Sequence, residues 1–179
     1  MTADAATATL PADFSIDLSK LEKHQRRLTN PWLMRAFLIA KLPLGFMAGL
    51  RVKSMDEIRC QTTVPYGWRT QNPFRSTYFA AQAMAAELST GTPAMVACDL
   101  APDSVAMLIV GMDAEFGKKA TDTTTFTTES CAEMFAAVAE TCRTGEPVTV
   151  EALTVGRMPD GTEVSRFHFT WSFKKRSTR

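Results

Sequence analysis

The chain has 179 residues, of which 45% are hydrophobic and 22% charged, as is typical of a single soluble globular domain. Its formal net charge of +1 provides no overall field that would favour nucleic acid or an anionic membrane. The N-terminus lacks the basic start and apolar segment of a secretory signal, and the four cysteines show no metal-site spacing. We therefore expect a cytoplasmic protein with reduced cysteines, no metal, no cofactor and no nucleic-acid partner.

The first 47 residues predict a tail followed by a helical extension. Asn30 suits the N-cap of a helix, and Pro31 suits its first position. Three residues interrupt the apolar stretch between positions 31 and 50: Arg35, Lys41 and Pro43. We therefore expect no stable membrane insertion there, although an interfacial helix remains open.

A strand and a long helix are predicted next. Residues 51–64 alternate as in a half-buried strand, and the residues predicted to share its buried face are Ile58, Cys60, Thr62 and Val64. The stretch 71–91, QNPFRSTYFAAQAMAAELSTG, predicts a turn and then a core helix. Ser76 is its predicted N-cap and Gly91 its predicted end.

The rest of the chain predicts mainly strands. Residues 94–100 form a short candidate, residues 104–118 an apolar and therefore central one, and residues 121–129 a Thr-rich one. Ser130 and Glu133 have capping-box spacing before a short helix ending at Gly145.

The C-terminal segments 147–158 and 162–175 flank Pro-Asp-Gly, which predicts an antiparallel hairpin. In its second strand one face carries the aromatic residues Phe167, Phe169, Trp171 and Phe173. Together the elements predict an α+β fold in which an antiparallel sheet curls around one helix.

This order, with NPFRSTYFAAQAMAAE before the sheet and a PDG hairpin closing it, resembles the hot-dog superfamily over residues 48–175. The resemblance implies a curved antiparallel sheet wrapped around a long central helix, preceded by the extension in residues 1–47. Within the superfamily the chain is similar to acyl-CoA thioesterases of the phenylacetate-degradation and 4-hydroxybenzoyl-CoA types. It is more similar to a neighbouring group, of no settled function, with an Asn-containing turn and a Tyr-containing helix start.

In those thioesterases the helix begins with His-Gly-Gly, and an acidic residue nine positions after the His is the nucleophile or general base. Here Tyr78 stands in place of the His, Phe79 and Ala80 in place of the glycines, and Glu87 nine positions on. The resemblance therefore implies Glu87 as the catalytic carboxylate and Asn72, in the preceding loop, as the residue that orients the reaction. The departure at residues 78–80 removes the glycine that permits close approach of a substrate carbonyl.

Helical spacing places Glu87 on one face with residues 80, 83 and 84, so the carboxylate extends an apolar stripe. Burial there would raise its pKa. The other interpretation puts Glu87 in the last turn of the helix, where it emerges into solvent.

Three further residues are candidate substrate-binding residues. The Tyr78 hydroxyl could donate to a carbonyl oxygen, or its ring could be a packing anchor. Gln82 could bind substrate, or it could make a structural hydrogen bond. Thr77 could contact substrate or cap the helix.

The leading hypothesis is an acyl-CoA thioesterase whose site lies between the subunits of a homodimer or a dimer of dimers. One alternative is a non-catalytic hot-dog protein that binds acyl-CoA or a fatty acid. Another is a lipid carrier in which residues 31–50 touch membranes.

Overall fold

Three helices precede the sheet in the computed structural model, which describes residues 18–177. They are α1 (Leu18–Thr29), α2 (Pro31–Lys41) and α3 (Pro43–Ala48). The start of α2 is confirmed, because Asn30 Oδ1 accepts hydrogen bonds from the N–H groups of Trp32, at 3.0 Å, and Leu33, at 3.2 Å. Residues 1–17 of the predicted tail lie outside the described residues.

The three helices join the same hydrophobic core as the sheet. Their buried side chains include Leu21, Leu28, Met34 and Leu38. A domain boundary near residue 48 stays a prediction.

Six antiparallel strands form one sheet in the order β1-β2-β4-β5-β6-β3. The strands are β1 (Arg51–Met55), β2 (Cys60–Val64), β3 (Val105–Phe116), β4 (Thr124–Thr128), β5 (Val148–Arg157) and β6 (Glu163–Lys175). The two later helices are α4 (Phe79–Leu100) and α5 (Cys131–Thr144). The sheet curves over α4, which contacts all six strands. The predicted α+β architecture of a sheet wrapped around a central helix is therefore confirmed.

The first predicted strand is two strands joined by a tight turn. Asp56 Oδ1 accepts hydrogen bonds from the N–H groups of Ile58, at 2.9 Å, and Arg59, at 2.6 Å. Ile58 therefore lies in the turn and is exposed, so its predicted place on the buried face is wrong. The other three residues of that face, Cys60, Thr62 and Val64, are buried as predicted.

The central helix α4 is longer than predicted and continues past Gly91 for about two and a half turns. The strand predicted over residues 94–100 is therefore wrong. Residues 88–94 are all buried, and a buried backbone has to keep its hydrogen bonds paired. Packing thus outweighs the preference of Gly91 and Pro93 for a helix end.

β3 lies at an edge of the sheet and pairs only with β6, so its predicted central position is wrong. Four of its apolar side chains remain largely exposed: Leu108 66%, Val110 56%, Met112 53% and Phe116 52%. An apolar run thus marks an uncovered edge in this chain rather than a strand buried on both faces.

The C-terminal hairpin is confirmed. β5 and β6 pair through a turn in which Gly161 has a φ of 85°. The four aromatic side chains on one face of β6 are buried, as predicted: Phe167, Phe169, Trp171 and Phe173.

Helix α5 is also confirmed, with Gly145 as a left-handed C-cap. Its predicted capping box does not form, because the Ser130 side chain makes no cap hydrogen bond. Instead the Ser130 N–H donates to Thr128 Oγ1 at 3.3 Å. Within the described chain, one carboxylate oxygen of Glu133 is left buried without a partner.

Candidate active site on the central helix

One face of α4 is only partly covered by the sheet. Four half-buried residues lie along it: Ala80, Ala83, Met84 and Glu87. The residues on the adjoining faces are buried: Ala81, Gln82, Ala85 and Ala86. The stripe predicted from helical spacing is therefore the side of α4 that stays accessible, and three of its four side chains are apolar.

Glu87 lies in the middle of α4, so the interpretation that placed it in the last turn is wrong. Its carboxylate extends over Gly91, one turn further on. A Cβ built on Gly91 would lie 2.8 Å from Glu87 Oε1 and 3.3 Å from the Trp171 ring. Gly91 thus leaves the space in which the carboxylate and the indole lie together.

Among residues 18–177, none donates a hydrogen bond to the Glu87 carboxylate or forms an ion pair with it. Desolvation by burial is the cause that raises the pKa of this carboxyl above its usual value. The indole Nε1 of Trp171 is not available to it, because it donates to Thr90 Oγ1 at 3.1 Å. Glu87 is therefore a half-buried carboxylate whose acceptor oxygens remain unused.

The start of α4 presents two backbone donors. Tyr78, rather than the predicted Ser76, is the N-cap residue, and no side chain caps the helix. The Tyr78 N–H donates to the Thr70 carbonyl at 2.6 Å. The N–H groups of Phe79 and Ala80 have no acceptor within the described chain. They point out of the helix start as groups that can bind an anion or a polarised carbonyl oxygen.

The Tyr78 side chain is half exposed and forms no hydrogen bond with a described residue. Its ring packs edge-on against Phe79, with 4.8 Å between centroids. Phe79 in turn approaches Phe116 of β3 at 6.5 Å, and Phe116 approaches Phe167 at 5.6 Å. An aromatic path therefore runs from the exposed start of α4 across the edge of the sheet into the core.

Asn72 orders the loop before α4. Its Oδ1 accepts hydrogen bonds from the N–H groups of Phe74, at 2.9 Å, and Ser76, at 3.3 Å. The remaining polar group of the side chain is Nδ2, which no described residue engages. The predicted role of Asn72 in orienting the reaction therefore rests on this donor.

Thr77 and Gln82 have structural hydrogen bonds. Thr77 is buried, and its Oγ1 donates to the Ala120 carbonyl at 3.1 Å. Gln82 donates from Nε2 to the Thr77 carbonyl at 3.0 Å and accepts at Oε1 from Ser165 at 2.8 Å. Both ends of this buried amide are thus satisfied, which is the structural alternative to substrate binding.

The structure therefore brings Asn72, Thr77 and Tyr78 together at the start of α4 and places Glu87 about two turns along the same helix. Sequence reasoning missed Gly91 and Trp171. The available signal was a glycine four residues after a carboxylate in an alanine-rich helix, where residues four apart are neighbours.

Between residues 18 and 177, no group of three or more His, Cys, Asp or Glu residues is arranged to hold a metal ion. No helix in this part of the chain is long and apolar enough to cross a membrane. The four cysteines are free thiols. Burial raises the pKa of Cys60 to about 12 and that of Cys98 to about 11, with lesser contributions from Asp56 and Asp99, respectively. Neither thiol is therefore an effective nucleophile near neutral pH.

Residues 30–173 match the profile of a protein family described as "Domain of unknown function (DUF4442)". No curated protein matches the sequence. The fold is similar to that of a Pseudomonas aeruginosa protein named a "probable thioesterase", with a TM-score of 0.68 and 16% identity, covering 84% of this chain and 99% of that one.

Two further solved structures are similar. A thioesterase from Haemophilus influenzae has a TM-score of 0.60 and 10% identity, with 84% of this chain and 94% of that one covered. A mutant thioesterase from Pseudomonas aeruginosa has a TM-score of 0.61 and 15% identity, with 85% and 99% covered. These likenesses confirm the hot-dog fold.

Proposed function

The chain belongs to the DUF4442 family, and from the geometry of its site we propose that it is a hot-dog thioesterase that hydrolyses an acyl thioester with Glu87. The observation that carries the proposal is the state of that carboxylate. It is half-buried on an accessible apolar stripe, its pKa is raised, and no described residue occupies its oxygens. A structural carboxylate in such a place would normally be paired.

A raised pKa makes the ionised form of Glu87 a stronger proton acceptor. In one route the carboxylate takes a proton from water, and the resulting hydroxide attacks the thioester carbonyl carbon. In the other, a carboxylate oxygen attacks the carbon directly, and water then hydrolyses the anhydride. Both routes expel a thiolate, which is protonated, and both release a free acid.

The N–H groups of Phe79 and Ala80 are suited to stabilising the negative charge that develops on the carbonyl oxygen. They take the place of the glycine amides that the resemblance leads one to expect. A residue other than glycine can supply a backbone donor if the substrate carbonyl can reach its N–H group. Phe79 is exposed at this position. The Nδ2 group of Asn72 is the proposed donor that orients the attacking water or the substrate.

Phe79 and Glu87 are eight residues apart, which corresponds to about 12 Å along a helix. One carbonyl group cannot contact both within a single protomer, because each contact requires an approach of about 3 Å. Donors from one subunit and the carboxylate from another resolve this mismatch. We therefore place the site between the subunits of a homodimer, which could pair further into a dimer of dimers.

The β3 edge supports such a dimer. A long apolar edge strand left unpaired is a site of association, and natural proteins cover such edges. Among the described residues no strand pairs with the outer side of β3, and the Val110 side chain on this strand is 56% exposed. We propose that β3 pairs with its copy and thereby extends the sheet across the two subunits.

The acyl group would lie along the small side chains of Ala80 and Ala83 and the aromatic rings of Phe79 and Phe116. Coenzyme A is the proposed thiol carrier, and the cytoplasm the proposed compartment, because four free thiols suit a reducing environment.

The test is turnover of short, long and aromatic acyl-CoAs by the purified protein, measured as release of free thiol. Hydrolysis of at least one class is expected. Failure of every class, together with an acyl-CoA or fatty acid retained through purification, would instead support the non-catalytic binding protein.

A further inference from the structure

The charges of this nearly neutral chain are strongly segregated. Seven of its 20 Lys and Arg residues lie between Lys23 and Lys53, a segment with no Asp or Glu. This segment comprises most of α1, all of α2 and α3, and the start of β1. The helical extension therefore presents a basic surface, although the net charge of the whole chain is only +1.

A cavity of about 470 Å³ lies between these helices and β1, within the range of about 300–1,000 Å³ usual for ligand sites. Three arginines reach it from separate elements, namely Arg35 of α2, Arg51 of β1 and Arg69 of the loop before α4. No Asp or Glu lines it. Much of the remaining wall is apolar and includes Met34, Leu38 and Leu50.

The three guanidinium groups have no anionic partner within residues 18–177. Arg35 lies over the ring of Phe46, with Cζ 5.8 Å from the ring centroid. This contact leaves the N–H donors of Arg35 unused. Three arginines that line one cavity and lack an anionic partner among the described residues favour a ligand with a carboxylate or phosphate group, which arginine binds through paired hydrogen bonds.

The face of α2 that carries Arg35 also carries exposed apolar side chains. Trp32, Arg35 and Ile39 share one face of α2 by their spacing of three and four. Trp32 is 78% exposed and Ile39 56% exposed. A hydrocarbon chain whose anionic end lies against Arg35 could therefore pack along these side chains and the apolar cavity wall.

We propose that this cavity is a second ligand site, separate from Glu87, for a single-chain amphiphilic anion: a hydrocarbon tail ending in a carboxylate or a phosphate. The cavity lies by β1, at the opposite edge of the sheet from β3. The site therefore does not depend on the proposed hydrolysis or on the proposed dimer.

The test is isothermal titration of the full-length protein with dodecanoate and dodecyl phosphate, each below its micelle concentration. Dodecyl maltoside, which has the same tail and an uncharged head, and inorganic phosphate, which has no tail, are the comparison ligands. At least one of the two anionic amphiphiles is expected to bind at least about tenfold more tightly than either comparison ligand.

The double variant Arg35→Gln/Arg69→Gln is expected to weaken that binding at least about tenfold. The matched control is Arg59→Gln/Arg176→Gln, which removes the same charge from two exposed positions outside the cavity. The control should change the dissociation constant by less than about twofold. Glu87→Gln should leave it unchanged, which separates this site from the proposed hydrolytic one.

Equal affinity for dodecyl maltoside, or equal loss in the two double variants, would overturn the proposal. Binding to anionic phospholipid vesicles without binding to either monomeric amphiphile would also overturn it, and would assign the surface to membranes instead.

Discussion

Glu87 and Gly91 are neighbours one turn apart on α4, and the carboxylate of the first fills the space that a side chain on the second would occupy. A glycine inside a long helix is destabilising by roughly 0.5–1 kcal/mol relative to alanine. Gly91 lies inside the helix, so no turn requires a glycine at this position. The space that the Glu87 carboxylate occupies accounts for it instead.

Gly91→Ala should displace the carboxylate without unfolding the protein. The added Cβ would lie 2.8 Å from Glu87 Oε1, the far end of a flexible side chain. Since a misplacement of about 1 Å can lower catalysis by about 10²-fold, we expect a large loss of acyl-CoA turnover. The melting temperature should fall only modestly, because the added Cβ also lies 3.3 Å from the buried Trp171 ring. Gly67→Ala is the matched control, because its added Cβ meets nothing within 4 Å. Full turnover by Gly91→Ala would contradict the proposed role of the carboxylate.

The pH dependence of kcat/KM should follow the ionisation of Glu87. The proposed base acts only when it is deprotonated, and burial raises its pKa. The acidic limb of the profile should therefore lie above the usual pKa of a glutamate. An acidic limb at or below the usual value would show that another group controls the rate.

The raised pKa of Glu87 also changes the free energy of unfolding. The change has the opposite sign to that caused by a salt-bridged carboxylate, whose pKa is lowered. A carboxyl whose pKa is raised in the folded state binds its proton more tightly there than in the unfolded state. The ionised form of Glu87 therefore lowers the free energy of unfolding, increasingly so as pH rises from the unfolded pKa to the folded one. Glu87→Gln should exceed the natural protein in unfolding free energy at neutral pH, and chemical denaturation should show this difference shrinking at acidic pH. A lower stability at neutral pH would mean that the carboxylate has a stabilising partner.

A charge on the β3 edge should separate the proposed dimer. Val110→Asp places a carboxylate on a side chain that is 56% exposed in the single chain. Pairing of β3 with its copy would bring two such charges close together across the contact, and like charges on paired strands are destabilising. Light scattering should report a dimer for the natural protein and a monomer for the variant, with loss of turnover. Leu153→Asp, on the exposed side of β5, is the control and should remain dimeric. A monomeric natural protein with full activity would exclude the shared site.

Local patterns were sufficient where neighbouring residues decide the structure. The β5–β6 hairpin was predictable because its alternation and its Pro-Asp-Gly turn agree. The end of α4 was not predictable. Gly91 and Pro93 favour the end of a helix, but burial of the surrounding segment keeps its backbone helical. The edge position of β3 could not be read from its apolar residues, since the same composition suits a strand covered on both faces.

The candidate site was predictable only in part. Helical spacing and the resemblance together indicated Glu87. The role of Gly91 depends on Trp171, which comes from a strand 80 residues further along the chain. The basic cavity was missed for the same reason, because Arg35, Arg51 and Arg69 are far apart in sequence and the net charge conceals them.

The most direct test of the central claim is acyl-CoA turnover by Glu87→Gln, measured beside Glu151→Gln. Glu151 is exposed on β5, so its substitution removes an equal charge away from the central helix. Removal of a general base or nucleophile should lower kcat by at least about 10²-fold, while Glu151→Gln should retain full activity. Hydrolysis by Glu87→Gln at the rate of the natural protein would contradict the assignment of Glu87 as the catalytic carboxylate.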